Sequence, residues 1–244
     1  MPGEKLPLDG AFNFRDIGGY RTREGRTVVG RKVYRADALH RLGPADYPTL
    51  EPLGIDTIFD LRTATELESD GVGEFVAGRN HVHVPLIEVS LNPINPAEDW
   101  LKVDLRDRYI EMLNARARAV PALFEWIAKP TGTACIFHCT GGKDRTGVVA
   151  ALLLRTLGVD DEDVIADYAL SQDNLVHLMD GYRDELIARG IDDDAIRYLT
   201  SSPPERMRYT LSELDGTWGS TEGYLEDLGI RAETVEAVRD NLLE

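Results

Sequence analysis

Short apolar runs alternate with longer amphipathic stretches over the first two thirds of the chain. Thr57-Ile58-Phe59-Asp60-Leu61-Arg62 has the pattern of a buried strand running into a charged end. His81-Val82-His83-Val84-Pro85 alternates with period two and stops on a proline, which predicts another strand. Ile110, Leu113, Ala117, Val120, Phe124 and Ile127 recur at helical spacing, an amphipathic stripe. Pro121 lies inside that stripe and predicts either a kink or two consecutive helices. The apolar run Thr133-Ala134-Cys135-Ile136-Phe137 predicts a strand. Val148 to Leu157, apolar on nearly every face except Arg155, predicts a buried central helix ended by Gly158.

Smaller signals fill the gaps. Thr27-Val28-Val29 and Lys32-Val33-Tyr34 flank Gly30 and predict a hairpin. Pro44 to Leu53 predicts a short helix closing near Gly54, and Thr65-Glu66-Leu67-Glu68 begins another. Residues 87–106 hold Asn92, Pro93, Asn95 and Pro96 and read as an irregular, lid-like stretch. Beyond Gly158 the pattern is helical. Asp160 caps a helix through about Leu170, more helices follow around 173–189 and 193–200, and Ser201-Ser202-Pro203-Pro204 breaks the run. Val235, Val238 and Leu242 mark the face of a last helix. Helix alternating with strand predicts an α/β fold, with a central, mostly parallel sheet flanked by helices up to about residue 158. The helical C-terminal third, 159–244, packs on it to make one domain of 1–244.

Charge changes the picture only after it is divided. The formal net charge is −16, which looks hostile to phosphate ligands. Residues 160–244 carry 22 acids and 7 bases, a net of −15, which leaves 21 acids and 20 bases, a net of −1, for residues 1–159. The acidity belongs to the C-terminal segment, where solvated helix faces account for it. Nucleic acid is excluded as a partner, because binding it needs clustered cations. Six bases between Arg21 and Arg35 are either a solvated hairpin or a basic rim for phosphate. No stretch approaches the roughly 18 apolar residues of a membrane span, and no signal peptide is visible. Two cysteines, Cys135 and Cys139, are too few for a disulfide framework. A cytoplasmic protein is expected, with export by a route lacking a signal peptide left open. His81 and His83 share a face, but no cysteine or acid at ligand spacing accompanies them, so no metal or other cofactor is expected.

The candidate chemistry sits between the strand at 133–137 and the helix from Val148. His138-Cys139-Thr140-Gly141-Gly142-Lys143-Asp144-Arg145-Thr146-Gly147 reads as a strand end, a tight loop and a helix start. Amides of a glycine-rich loop, with the positive end of a helix dipole, form a pocket for a tetrahedral oxyanion. The same field favours thiolate at Cys139, the form that attacks phosphorus. Arg145 can hold two phosphate oxygens in a planar fork, and Thr140, Gly141 and Gly142 line the pocket. Thr146 can give its hydroxyl to the departing sulfur or cap the helix. His138 orients the loop through its ring. Lys143 meets a second anionic group of the substrate or turns to solvent. Asp144 either braces the loop or serves as general acid; Asp60, at a neighbouring strand end, competes for that role, and Arg62 beside it is a candidate phosphate-binding residue. Asp99, Asp104 and Asp107 are weaker candidates. Cys135 reads as a buried structural thiol, with redox protection of Cys139 as the alternative.

These residues resemble the bacterial tyrosine phosphatase family. The carriers are His-Cys-x-x-Gly-Lys-Asp-Arg-Thr-Gly at 138–147, Asn-Phe-Arg-Asp-x-Gly-Gly at 13–19 and Phe-Asp-Leu-Arg at 59–62. Trp218-Gly219-Ser220, Tyr224-Leu225 and Leu228-Gly229 resemble that family's C-terminal segment. The resemblance implies the cysteine-dependent phosphatase fold, no metal, and a phosphocysteine intermediate. The substrates it implies are phosphotyrosine, sometimes phosphoserine or phosphothreonine, and phosphoinositides. It makes Cys139 the nucleophile, Arg145 the phosphate clamp and Lys143 a phosphoinositide-related contact. The family lacks the mobile Trp-Pro-Asp loop of animal tyrosine phosphatases, and so does this chain. Its two-helix lid is shortened here if residues 87–106 correspond to it.

Overall fold

The computed structural model describes residues 2–88, 104–130, 132–180, 187–188 and 192–244. Strand β5, Ala134–His138, is buried at all five positions and lies in the middle of the sheet. Its continuous apolar pattern suits a strand covered on both faces. The order is β1-β2-β5-β3-β4, where β1 is Arg15–Asp16, β2 Val33–Ala36, β3 Ile55–Asp60 and β4 Asn80–His83. All pairings are parallel except β1 with β2 at one edge.

The alternation of β5 sorts the core into two layers. Cys135 and Phe137 face the larger cluster, whereas Ala134 and Ile136 face a smaller one with Phe14, Tyr34, Leu50 and Phe75. The larger layer is built from α4 (Leu105–Asn114), α5 (Ala119–Ile127), α6 (Asp144–Thr156) and α7 (Asp161–Asp180), together with C-terminal helices. The smaller layer is closed by the short helices α1 (Tyr47–Leu50) and α3 (Glu74–Ala77); α2 (Ala64–Asp70) follows β3. The C-terminal third adds α8 (Asp193–Thr200), α9 (Pro204–Trp218), α10 (Thr221–Asp227) and α11 (Ala232–Leu242). Among the described residues no helix is long and apolar enough to cross a membrane.

Three expectations need correction. The hairpin about Gly30 does not form: β2 pairs with β1 and β5, while Val28 bridges Leu243 near the C-terminus. The amphipathic stripe is indeed two helices, but the break comes at Ala115–Arg118, where Arg116 adopts φ 49°. Pro121 sits in the first turn of α5, where a missing N–H leaves no helical bond unmade. The helix expected to stop near Leu170 continues to Asp180. Most of the lid-like stretch lies outside the described residues.

Register sets the site. Ala36, Asp60 and His138 stand side by side at the carboxyl ends of three parallel strands. In such sheets ligands collect beyond these ends, and β5 passes there directly into the loop that opens α6.

Candidate active site

Cys139 is the first residue past β5, and it is buried. The Gly142 amide donates to its Sγ at 3.2 Å. That amide is aimed by what holds the carbonyls. Asn13 Nδ2 donates to Gly141 O at 3.2 Å and to Gly142 O at 2.9 Å, and an Arg35 guanidinium nitrogen donates to Gly142 O at 2.8 Å. A trans peptide points its C=O and N–H in opposite directions. Pinning the Gly141 carbonyl outward therefore turns the Gly142 N–H inward, onto the sulfur. Gly142 has φ +64°, and a Cβ there would come within 2.5 Å of the Ala36 and Asp37 backbone. Only glycine lets the loop lie this close to the end of β2.

Beneath the loop is a buried ionic cluster. Asp167 of α7 accepts from Arg15 Nε at 3.0 Å, from Tyr20 OH at 3.2 Å and from Arg35. Burial would raise its carboxyl, yet the two guanidiniums hold it down at about 2. Two buried cations against one carboxylate leave an excess positive charge under the loop. Arg35 is thus neither a solvated nor a rim residue. Elsewhere in the basic run, Arg23 pairs with Asp160 and Asp161, and Arg31 donates to Pro52 O.

Arg145, in the first turn of α6, is 2% exposed and forked onto Glu66. Its two terminal nitrogens reach the Glu66 oxygens at 2.5 and 2.8 Å. Glu66 is fixed in turn by the capping box that starts α2: it accepts from the Thr63 amide while Thr63 Oγ1 accepts from its own amide. Thr140 also donates its hydroxyl to Glu66, at 2.7 Å. Burial favours the neutral acid, but Arg145 overrides it and holds Glu66 at about 2. Arg145 Nε and Thr146 Oγ1 are buried and make no hydrogen bond among the described residues.

The two candidate acids stand in contrasting settings. Asp60 is fully buried and gripped by Arg62, whose Nε lies 3.0 and 3.1 Å from its oxygens and whose terminal nitrogen lies at 2.7 Å. Burial alone would raise Asp60, but His138, His81 and Arg62 hold it far below the usual carboxylate range. Arg62 also donates to Gly71 O at 3.0 Å and pairs with Asp70 at 3.9 Å. Asp144, by contrast, keeps its side chain 20% exposed and accepts from Tyr109 OH at 2.5 Å and from Lys143 Nζ at 3.4 Å. Lys143 does not turn to solvent: it is 3% exposed and donates to Ser201 O at 3.1 Å. Burial lowers its ammonium pKa. His138 is pushed down to about 4 by burial, so it is neutral, and its Nδ1 lies 3.2 Å from Cys139 O. His81 and His83 reach Asp60 and Arg62 O, which ties β4 to the end of β3. Asp104 caps α4 and holds Arg106; Asp99 lies outside the described residues. Cys135, buried in β5 with its thiol pKa pushed well up, packs in the core.

The model of the tyrosine phosphatase family matches residues 6–244. The chain belongs to the tyrosine phosphatase family. It is 30% identical to a protein of Cupriavidus necator named as a tyrosine-protein phosphatase, across 91% of this chain and 83% of that one. It is 29% identical to the triple specificity protein phosphatase PtpB of Mycobacterium tuberculosis, across 97% and 98% of the two chains. A tyrosine-protein phosphatase of Nostoc commune is 27% identical across 85% and 73%. The α/β sheet with a cysteine loop at its centre is the cysteine-dependent phosphatase fold expected of this family.

Several residues that shape the phosphatase loop were not singled out for a role there by the sequence pattern. Glu66 was visible only as part of a helix start, although Thr63-x-x-Glu66 is a capping-box spacing. Asn13 and Arg15 belong to the Asn-Phe-Arg-Asp-x-Gly-Gly motif, and their hydrogen bonds give that motif a physical reason. Asp167 and Tyr109 carried no local signal, since each is one polar position on an amphipathic helix.

Proposed function

We propose the following division of labour at the Cys139 loop of this cysteine-dependent protein tyrosine phosphatase. Cys139 Sγ attacks phosphorus in line, forming the S–P bond as the ester P–O bond breaks. Asp144 gives its proton to the leaving oxygen. Water then attacks the phosphocysteine, loses a proton to Asp144, and releases inorganic phosphate and the thiolate. The amides of Thr140 to Lys143 and the Arg145 guanidinium take the equatorial oxygens, a preorganised field of the kind that dominates many enzymes. The buried hydroxyl of Thr146, unengaged among the described residues, supports a role in donating to the departing sulfur.

The observation that carries this reading is the Gly142 amide seated on Sγ while Glu66 fixes the guanidinium of Arg145. Asp144 is favoured over Asp60 because a general acid must exist protonated and reach the substrate. Asp60 is locked in a buried pair with Arg62, and we assign both to holding the end of β3 rather than to substrate. The link from the loop through Arg35 to Asp167, and the contact of Lys143 with Ser201, support the whole chain working as one unit. A catalytic thiol must stay reduced, which supports a cytoplasmic setting.

The broad specificity in the name of the mycobacterial relative supports phosphotyrosine as the main substrate, with phosphoserine and phosphothreonine accepted. Phosphoinositides are the second reading, and they rest on Lys143. Its ammonium must leave Ser201 O to meet another phosphate. Lys143→Ala should therefore lower phosphoinositide turnover at least tenfold more than aryl phosphate turnover; equal losses would remove the lipid reading. Cys139→Ser should abolish turnover of p-nitrophenyl phosphate, and retained activity would refute the nucleophile.

A further inference from the structure

Side chains from four helices form one buried hydrogen-bond chain that ends on Asp144. Tyr109 of α4 donates to Asp144 Oδ1 at 2.5 Å and lies 2.8 Å from the hydroxyl of Tyr168 in α7. Arg206 of α9 donates to the Tyr168 hydroxyl at 3.3 Å. Tyr109 and Tyr168 are 0% and 1% exposed, and their rings meet edge-on.

The direction of the chain follows from proton counting. A phenol has one proton to donate. Tyr109 gives its own to Asp144, so the contact between the two phenols uses the proton of Tyr168. Tyr168 in turn accepts from the guanidinium. Every donor therefore points the same way, from a cation at one end to a carboxylate at the other, and such chains polarise along their length. Phenylalanine would fill the same space with the same apolar body, so packing alone does not call for the two hydroxyls.

The Tyr109 hydroxyl donates to Oδ1, and the shortest approach of Lys143 Nζ to Asp144 is to the same oxygen; among the described residues no hydrogen bond to Oδ2 is seen. An oxygen accepting from a fixed phenol is a poor place for the acid proton. We propose that Tyr109, backed by Tyr168 and Arg206, is a positioning residue that makes Oδ2 of Asp144 the oxygen that carries the proton. The inference rests on Asp144 being the general acid. In the first step Oδ2–H protonates the ester oxygen as the P–O bond breaks and the S–P bond forms. In the second, Oδ2 takes a proton from the attacking water as the S–P bond breaks. Oδ1 keeps its bond to Tyr109 throughout. Burial, then the Asp144 charge, push Tyr109 well above the usual phenol range and Tyr168 to about 12, so both remain donors at neutral pH.

Among the described residues, the charged and titratable groups that face Asp144 are Lys143 and Arg145 from the loop and α6, Tyr109 from α4, Tyr168 from α7 and Arg206 from α9, with Cys139 beside Lys143 and Arg145. Tyr109→Phe removes one donor and leaves the others in place. Its turnover of phenyl phosphate, a poor leaving group, should fall about tenfold, with p-nitrophenyl phosphate within about twofold of wild type. The basic limb of kcat/KM against pH should move up by about one pH unit, because the carboxylate form has lost a hydrogen bond. Tyr168→Phe should shift both readouts the same way by less, and the double variant should add little to Tyr109→Phe. If Tyr109→Phe does not fold, Tyr168→Phe carries the test. Asp144→Asn should lower phenyl phosphate turnover far more than p-nitrophenyl phosphate turnover. Equal losses there would remove the general-acid reading and this inference with it. If Asp144→Asn behaves as expected but the tyrosine variants leave the leaving-group ratio and the basic limb at wild-type values, this inference alone is overturned.

Discussion

Glu66 and Asp167 are buried carboxylates, and each decides where a guanidinium stands. Glu66 holds the Arg145 guanidinium by both terminal nitrogens, and Asp167 anchors Arg15 and Arg35 beneath the Gly142 carbonyl. Both are held at about 2, against ordinary values of 4.5 and 3.8. Their folded-state pKa lies below the unfolded one. The stabilisation they contribute is therefore present above the unfolded value, near pH 4, and is lost as pH falls toward 2. Melting temperature should decline over that window. Asp167→Asn should already be destabilised at pH 7, on the order of 2 kcal/mol, and should lose less than wild type on acidification. An acid profile parallel to wild type would show that Asp167 contributes nothing of this kind. At this scale the sequence was most legible where the chemistry is local. Cys139, Arg145 and Thr146 sit in one ten-residue stretch, and the spacing alone implied an anion cradle. Their supports were not legible, because Asn13, Glu66, Arg35 and Asp167 come from four distant parts of the chain.

Elements are legible where the apolar pattern is continuous or strictly alternating. The strands β3, β4 and β5 and the helix α6 follow the periodicity that predicted them. The misreadings have physical causes. The segment Thr27–Val29 is β-prone, but its backbone finds partners near the other end of the chain. Thr27 N donates to Glu244 O at 2.9 Å, Glu244 N to Thr27 O at 3.0 Å, and Val29 N to Leu242 O at 2.8 Å. A local pattern cannot announce a partner more than 200 residues away. Likewise a proline in a helical stripe is harmless once a left-handed residue upstream, Arg116, has already ended the preceding helix. The terminal pairing makes its own prediction. Removing residues 242–244 exposes these backbone groups and the cavity left by Leu242, which is 3% exposed. Loss of about 2 kcal/mol should lower Tm by about 5 °C while leaving kcat on an aryl phosphate nearly unchanged. An unchanged Tm would mean that the terminal strand contact is not stabilising.

At the scale of the whole molecule, the division of charge agrees with the architecture. The near-neutral part supplies the sheet and the loop, and the acidic helical third packs on the larger core layer. That third also reaches the site: Ser201 O accepts from Lys143 and Arg206, and Arg206 closes the chain of phenols behind Asp144. The fold class and the position of the cysteine loop could be read from sequence, whereas this reach of the C-terminal helices toward the loop could not. Everything in the account depends on a phosphoryl group passing through Cys139. The direct measurement is rapid quenching of wild-type enzyme mixed with an aryl phosphate, with the quenched protein mapped by mass spectrometry. Passage through Cys139 should give a burst of phenol no larger than the enzyme present, with phosphate on Cys139 and none in Cys139→Ser. Wild-type turnover with no phosphate on Cys139, or with phosphate on another residue, would contradict it.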